Sequence, residues 1–233
     1  MAQASPSPSN PAATGPKISD AGNAALLLDA SVGAFDLDQQ KRIWHLSQQL
    51  PRDPKWGALV ETVVGVNNIL IVYNPLQMNS TQARDALEIS WNATAALDVE
   101  GNTFEIEVCY GGDGGYDLKD VATATGLSVE EVIALHSSAT YTVAAIGAMP
   151  GYPYMVGLPP QLHIPRRENP RVRLEAGSII IAGEQASIFP QTGPCGWHVI
   201  GTASFRCFDP GAEPPCLLQP GDKVKYVPKA ATR

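Results

Sequence analysis

Positive charge is scarce in this sequence, and its scarcity excludes one class of partner. The 16 lysines and arginines are outnumbered by 23 aspartates and glutamates, which gives a net charge of −7. The basic residues also form no long run. Non-specific nucleic-acid binding requires a positive field that releases phosphate counterions. We therefore expect no nucleic acid as a partner.

Signals for the membrane or for export are also lacking. The first residues are polar and rich in proline, without the basic start and apolar core of a signal peptide. No apolar run is long enough to cross a bilayer. The four cysteines form no CxxC pair, so free thiols in a reducing compartment are the expectation. These features predict a cytoplasmic protein with no membrane partner.

Familiar catalytic motifs are absent as well. The glycine-rich stretch Gly111–Gly115 is not followed by the Lys-Ser/Thr pair of a P-loop, so we interpret it as a turn, with an anion cradle as the alternative. The sequence has no serine nucleophile elbow and no histidine pair at metal-ligand spacing, so no metal site is expected. Cys195 follows a glycine turn, but no base is adjacent in the sequence, and we discount it as a nucleophile.

Glycine and proline, in contrast, are abundant. The 21 glycines and 20 prolines favour a turn-rich fold that contains β-structure over a helical bundle. Residues 1–19 are mainly Ser, Pro, Ala and Asn, with almost no apolar mass. Such a segment cannot offset its own ordering entropy, so it is predicted to be a disordered tail.

Hydrophobic periodicity over residues 20–101 predicts an α+β domain. Strand-like and helix-like patterns alternate in the order strand, helix, strand, strand, helix, strand, which is the order of a ferredoxin-like unit. The last strand, Phe104–Val108, follows the boundary that we place between residues 101 and 102, and the sequence leaves open which domain contains it.

Residues 102–233 have a different pattern. Two short helices come first, and Ser128 with Glu131 forms a capping box at the start of the second. Beyond Thr140 the helical periodicity ends, and short β-runs alternate with Pro and Gly. Many short strands separated by turns predict a small barrel or sandwich.

Three features of this second domain could carry chemistry. His136 lies on the apolar face of its helix, which fits either a buried structural histidine or a tuned functional group. Tyr152 and Pro153 lie in a stiff loop that could stack on a ligand or plug the barrel. Arg166 and Arg171 lie in the most basic stretch and could bind carboxylate or phosphate, or simply balance nearby acids.

Two further segments complete the candidate site. Gln185 and Ser187 alternate with apolar neighbours, so both could line a cavity. Trp197 stands at a strand entry after glycine, which is typical of a core residue and also compatible with a binding wall.

Together these segments resemble one family, that of the 5-oxoprolinase B subunit, allophanate hydrolase subunit 1 and the Kip kinase inhibitors. The resemblance runs from about residue 20 to residue 228 and rests on motifs in a fixed order. Those motifs are GNAALLLDA, VVGVNNILIVYNP, YGGDGGYDLKDVA, SVEEVIALHSSATYTVAAIG, MPGYPYM, PRRENPR, AGSIIIAGEQASIFP, GPCGWHVIG and LLQPGDKVKYVP. Positions that depart from the family pattern are Met149, Tyr152, Cys195 and Thr202.

The resemblance implies a fold and a chemistry. It implies a ferredoxin-like N-terminal domain and a cyclophilin-like β-barrel domain. It also implies ATP-dependent opening of 5-oxo-L-proline to L-glutamate, in which this chain works with an A subunit and with a C subunit that is similar to allophanate hydrolase subunit 2. ATP would then be shared with a partner. The alternatives within the family are a carboxyltransferase or allophanate hydrolase-type subunit and a non-catalytic inhibitor of a histidine kinase.

The same resemblance suggests roles for the candidate residues. Arg166 and Arg171 would bind phosphate or carboxylate, and His136 would act as an acid or base or would orient a partner. A loop and a wall would shape the pocket for substrate or nucleotide, and their residues are Tyr152, Pro153, Gln185, Ser187 and Trp197.

Overall fold

A computed structural model describes residues 15–30 and 33–229 of the chain. Contacts divide it into two compact units, Met1–Leu97 and Asp98–Arg233. The domain boundary that the sequence predicts between residues 101 and 102 lies slightly later and stays a prediction. No helix in the described ranges is long and apolar enough to cross a membrane.

The first unit is a four-stranded antiparallel sheet with two helices. The sheet order is β1-β2-β4-β3, and the helices connect β2 to β3 and follow β4. Asp36 caps the first helix and Asn79 forms a capping box with Gln82 at the second. The elements are β1 Lys17–Asp20, β2 Ala25–Asp29, α1 Leu37–Gln49, β3 Leu59–Val64, β4 Asn68–Tyr73 and α2 Ser80–Ala93.

One face of this sheet forms a core with the two helices. Alternate residues of the central strands point toward the helices, and the 3.6-residue period of each helix supplies the opposing apolar stripe. The buried set includes Leu26, Leu28, Ile69, Ile71, Ile43, Leu46, Ala83, Leu87 and Trp91.

Residues 17–19, which we predicted to belong to a disordered tail, are instead part of the edge strand β1. Lys17–Asp20 pairs in register with β2, and the Arg84 side chain holds it by donating to the Ile18 carbonyl at 2.8 Å and to Asp20 at 3.0 Å. Backbone pairing therefore orders a segment whose side chains carry little apolar mass. The rest of the predicted tail, residues 1–14, lies outside the described residues.

The fourth strand of the ferredoxin-like sheet is thus supplied from before the first helix. The strand that follows α2 belongs to the second unit, where it pairs in parallel with the last strand of the barrel from Thr103↔Lys223 to Val108↔Pro228. Its residues Ile106 and Val108 point into the barrel core. Long-range pairing decides this membership, and a local pattern cannot show it.

The second unit is a closed seven-stranded barrel with a two-stranded ribbon, β8 with β11, and two helices. The barrel order is β10-β7-β6-β13-β5-β12-β9, which confirms the predicted α+β class with a β-barrel. The elements are β5 Thr103–Tyr110, α3 Leu118–Thr125, α4 Val129–Ser138, β6 Thr140–Ile146, β7 Pro153–Val156, β8 Arg171–Leu174, β9 Ser178–Ala182, β10 Gln185–Ile188, β11 Gly193–Cys195, β12 His198–Thr202 and β13 Lys223–Pro228.

The strand period of two gives this unit two separate apolar clusters. In β9, Ile179 and Ile181 belong to the large interior cluster, whereas Ile180 and Ala182 belong to a cluster on the other face of the strand. We call the second set the outer-face cluster; its buried members are Tyr152, Leu174, Ile180, Ala182, Phe189, Cys195, Trp197 and Val199.

Candidate functional site

The glycine-rich loop that follows β5 lies directly against β12. The Gly111 amide donates to the Ile200 carbonyl at 3.0 Å, and the Asp117 amide donates to the Val199 carbonyl at 2.9 Å. A Cβ on Gly115 would lie 2.5 Å from both the Gly111 nitrogen and the Ile200 oxygen, so only glycine fits there. The loop is a closely packed turn, and its structural effect is to bring Asp117 to the edge of the outer-face cluster.

The Asp117 carboxylate is the centre of a charged site on this face. Its side chain is 1% exposed and accepts four hydrogen bonds. Arg171 donates from Nη1 to Oδ2 at 2.8 Å and from Nη2 to Oδ1 at 2.6 Å. Arg167 Nη1 donates to Oδ1 at 2.7 Å, and the Val199 amide donates to Oδ2 at 2.8 Å. A buried carboxylate with this many donors is fully compensated.

The two arginines keep part of their donor capacity. A guanidinium has five N–H groups, and Asp117 accepts one from each terminal nitrogen of Arg171, which leaves three on that residue. The Arg171 guanidinium carbon also lies 4.9 Å from the ring centroid of Tyr116. About a quarter of each arginine side chain is exposed, so these donors can be reached from solvent.

Aromatic rings border this charged group. Tyr152 packs edge-on against Trp197 with ring centroids 6.1 Å apart, and Tyr154 lies 4.8 Å from Tyr152 and 6.2 Å from Trp197. Burial raises the pKa of Tyr152 above its ordinary value, so its hydroxyl stays protonated near neutral pH. The three rings form an apolar wall in which the Tyr152 hydroxyl is protonated.

Arg166 is exposed and lies over this wall, with its guanidinium carbon 5.8 Å from the Trp197 ring centroid. Beneath it, the Cys195 thiol is buried, and its sulfur accepts from the Trp197 amide at 3.4 Å. Burial raises the pKa of Cys195, which disfavours the reactive thiolate and agrees with discounting this residue as a nucleophile.

The remaining wall residues lie on β7 and β10. Ser187 is fully buried, and its hydroxyl donates to the Pro153 carbonyl at 2.7 Å, so it links two neighbouring strands. Gln185 begins β10, is partly exposed and pairs with Ala182 across the β9–β10 turn. The structure therefore brings Ser187 and Pro153 together behind the aromatic wall.

His136 lies elsewhere, in the interior cluster. Its ring stacks on Tyr226 at a centroid distance of 4.7 Å, its Nδ1 lies 2.7 Å from the Tyr110 hydroxyl, and Tyr141 donates to its carbonyl at 2.9 Å. The residue is fully buried, and burial lowers its pKa from 6.5 to about 3. A neutral imidazole enclosed by three tyrosines fits the structural interpretation that the sequence left open.

Sequence reasoning missed Asp117 and Arg167. An aspartate that follows a glycine loop and precedes a helix is typical of an ordinary N-cap, so its type gave no signal for a charged site. Arg167 was visible in the basic stretch, but nothing local distinguished it from Arg166 and Arg171. Within residues 15–30 and 33–229, no group of three or more His, Cys, Asp and Glu residues is suited to hold a metal ion.

Known proteins are similar to this chain over most of its length. Residues 16–218 match the family model described as the carboxyltransferase domain, subdomain C and D. A protein of Escherichia coli O157:H7 named as the B subunit of 5-oxoprolinase is 44% identical over 193 residues, which cover 83% of this chain and 87% of that protein. A protein of the same name from Haemophilus influenzae is 39% identical, with 82% and 88% covered.

A solved structure shares the fold as well. The crystal structure of the protein TTHA0988 superposes with a TM-score of 0.74 at 30% identity. The match covers 89% of this chain but only 40% of that one, so this chain spans less than half of TTHA0988.

Proposed function

Because the chain belongs to the carboxyltransferase domain, subdomain C and D, family, we propose that it is the B subunit of an ATP-dependent 5-oxoprolinase. The enzyme would convert 5-oxo-L-proline, ATP and water to L-glutamate, ADP and phosphate. The observation that carries this proposal is the 44% identity to a protein named as the B subunit of 5-oxoprolinase, because the match covers 87% of that protein. A match of 193 residues in a chain of 233 includes parts of both structural units.

A B subunit requires other subunits, and we propose an A subunit and a C subunit similar to allophanate hydrolase subunit 2. ATP would be shared with a partner subunit. Two amides of the glycine-rich loop are already used within the fold, because the Gly111 amide donates to the Ile200 carbonyl and the Gly115 amide donates to the Gly112 carbonyl.

The proposed substrate contacts of this chain lie at the edge of the outer-face cluster. Arg166 and the free donors of Arg171 would bind the carboxylate of 5-oxoproline or the phosphorylated lactam. Three guanidinium groups, those of Arg166, Arg167 and Arg171, stand near one carboxylate, that of Asp117, so the site carries an excess of positive charge. Such an excess favours an anionic ligand.

The wall residues would orient that ligand. Tyr152 and Trp197 present a flat apolar surface, and the Ser187–Pro153 bond fixes the strands behind it. Gln185, partly exposed at the start of β10, would add a neutral donor and acceptor. ATP would supply the phosphoryl group that activates the lactam carbonyl, and the arginines would stabilise the negative charge that this creates. His136 is not part of this proposed site, because it is buried in the interior cluster.

Turnover of 5-oxoproline by the reassembled enzyme tests the proposal. The chain is assayed for ATP-dependent glutamate formation alone, with the C subunit, and with the A and C subunits together, after gel filtration has verified each complex. We expect glutamate only in the complete mixture. Absence of turnover in a verified complex would reject the proposed function.

Arginine variants then test the proposed contacts. Arg166→Ala and Arg171→Ala are expected to lower turnover of the complex, because each removes donors to the anion. Arg173→Ala is the matched control: Arg173 lies in the same stretch but is exposed and pairs with Glu175 at 2.8 Å. If Arg166→Ala and Arg171→Ala were as active as the control Arg173→Ala, then Arg166 and Arg171 would not bind the substrate anion.

A further inference from the structure

Asp117 occupies the N-cap position of α3 but does not cap it. Its side chain accepts no hydrogen bond from the first turn of that helix, which is the usual use of an aspartate at this position. The carboxylate turns instead toward β8 and β12 and binds two arginines and the Val199 amide. Capping therefore does not explain why an acid stands here.

The geometry at Asp117 restricts both arginines. Arg171 is held end-on through two parallel bonds of 2.8 and 2.6 Å, which fix the plane and the direction of its guanidinium. Arg167 is held by its side chain at 2.7 Å and by its amide, which donates to the Gly196 carbonyl at 2.8 Å. Arg166 makes no such bond to Asp117 and is exposed, so the neighbouring arginines differ in how firmly they are directed.

We propose that Asp117 is a positioning residue that directs the free donors of Arg171 and Arg167 toward the substrate anion. This inference rests on the proposed function, since it names the residue that prepares the anion site. Asp117 itself would not touch substrate, because its oxygens accept from the arginines and from Val199. A guanidinium that is already fixed loses less entropy when it binds, so positioning increases affinity for the anion.

Kinetics of the assembled enzyme test this inference. Asp117→Asn keeps the shape but removes the charge that orients two guanidinium groups. We expect the KM for 5-oxoproline to rise about 10- to 100-fold, the range of one charged hydrogen bond, while the KM for ATP changes less than about twofold. Asp120→Asn is the matched control, because Asp120 is an exposed acid in the first turn of the same helix.

Two further variants separate positioning from capping and from direct contact. Serine at position 117 can cap a helix but is too short to reach the arginines. Asp117→Ser should therefore raise the KM for 5-oxoproline as Asp117→Asn does. In the double variant Asp117→Asn with Arg171→Gln, the KM for 5-oxoproline should lie within about threefold of that of the more impaired single variant. Both substitutions disrupt the same ion pair, so their effects should not add. A normal KM for 5-oxoproline in Asp117→Ser would overturn the inference. So would a double variant in which the effects of the two single substitutions on KM are fully additive.

A charge-balanced variant covers the case in which Asp117→Asn does not fold. Asp117→Asn with Arg167→Met removes one charge of each sign, which spares an uncompensated buried ion. We expect this variant to fold and assemble yet to keep the raised KM for 5-oxoproline. A normal KM in that variant would show that Asp117 only stabilises the fold and does not position the arginines.

A spectroscopic measurement decides the matter without substrate. In the wild-type chain, the Nη–H signals of Arg167 and Arg171 that come from the bonds to Asp117 should be sharp and slow to exchange with solvent. They should broaden in Asp117→Asn and stay unchanged in Asp120→Asn. Unchanged arginine signals in Asp117→Asn would refute positioning even if the complex turns over 5-oxoproline. Broadened signals in a complex that never turns over 5-oxoproline would reject the proposed function and keep the positioning.

Discussion

The interior of the barrel and its outer face both bury titratable side chains, but the interior group is neutral and the outer group is charged. Inside, His136 lies among Tyr110, Tyr141 and Tyr226, and burial disfavours the ionised form of each. Outside, the buried Asp117 carboxylate is bonded to arginines that are about a quarter exposed.

The difference teaches where a binding site can form in this unit. A neutral cluster that is enclosed by barrel strands has no excess charge and no access for a ligand. A charged cluster at the edge of the outer face keeps free donors and access to solvent. His136, with its pKa lowered to about 3 by burial, is neutral at neutral pH, whereas the arginines bonded to Asp117 are partly exposed to solvent.

The largest effect on stability is expected from Asp117→Ala. This variant leaves two partly buried guanidinium groups without their counter-charge, and we expect a loss of about 3 kcal/mol in the free energy of unfolding. This is at the low end for a buried pair, because solvent still reaches the arginines. Urea denaturation at neutral pH measures it, with Asp120→Ala as the exposed control. A loss equal to that of the control would mean that the outer group contributes no stability.

The second largest effect on the free energy of unfolding should come from His136 in the interior cluster, and it depends on pH. The pKa of His136 is about 3 in the folded chain and 6.5 in an exposed histidine, so the unfolded state binds an extra proton between those values. Stability from this group is thus complete above about pH 6.5 and falls by about 1.4 kcal/mol for each pH unit below it, or roughly 3 kcal/mol at about pH 4.

Two variants of the cluster sharpen this pH prediction, measured by urea denaturation at several pH values. His136→Phe should remove this part of the acid dependence. Tyr110→Phe should keep it, because burial, and not the bond to Tyr110, lowers the pKa. A slope unaffected by His136→Phe would show that the acid sensitivity lies in other groups.

A third prediction concerns the loop that brings Asp117 into place. Gly115→Ala puts a Cβ against backbone atoms of Gly111 and Ile200, and we expect a loss of about 2 kcal/mol together with weaker binding of Arg171 by Asp117. At Gly112 an added Cβ would meet nothing within 4 Å, although φ is +60°. Gly112→Ala should therefore lose only about 1 kcal/mol, for its backbone conformation. Equal losses in thermal denaturation would mean that contact with β12 is unimportant.

The smallest effect on stability should come from Arg166→Ala. The side chain is exposed, so the free energy of unfolding should change by less than about 0.5 kcal/mol. The KM of the complex for 5-oxoproline should nevertheless rise about tenfold, since one donor group to the anion is lost. A change in stability without a change in KM would place Arg166 in the packing of Trp197 instead of in the site.

Much of the fold could be predicted from the sequence because it follows from local rules. The capping box at Ser128 is present with both reciprocal bonds, and the alternation of β9 divides its side chains between two clusters as a strand period requires. The order of motifs was enough to identify the family, which the comparisons confirm.

The candidate site was accessible from the sequence only in part. Arg171 could be selected from the sequence because guanidinium groups bind anions. Trp197 and Tyr152 could be selected because they are aromatic residues next to turns rich in glycine and proline. Whether these residues bind substrate stays a prediction. The partner that fixes Arg171 could not be found, because Asp117 is 54 positions away in the chain. The same limit applied to β1, whose order depends on pairing with β2 and on Arg84.

By itself the sequence determined the helices, most of the strands with their alternation, and the family. These depend on neighbours within a few residues or on the linear order of motifs. Only the tertiary structure decided that Lys17–Asp20 completes the first sheet, that β5 joins the barrel, that His136 is enclosed by tyrosines and that Asp117 holds two arginines. Each of these depends on contacts between distant segments, which form only when the chain closes on itself.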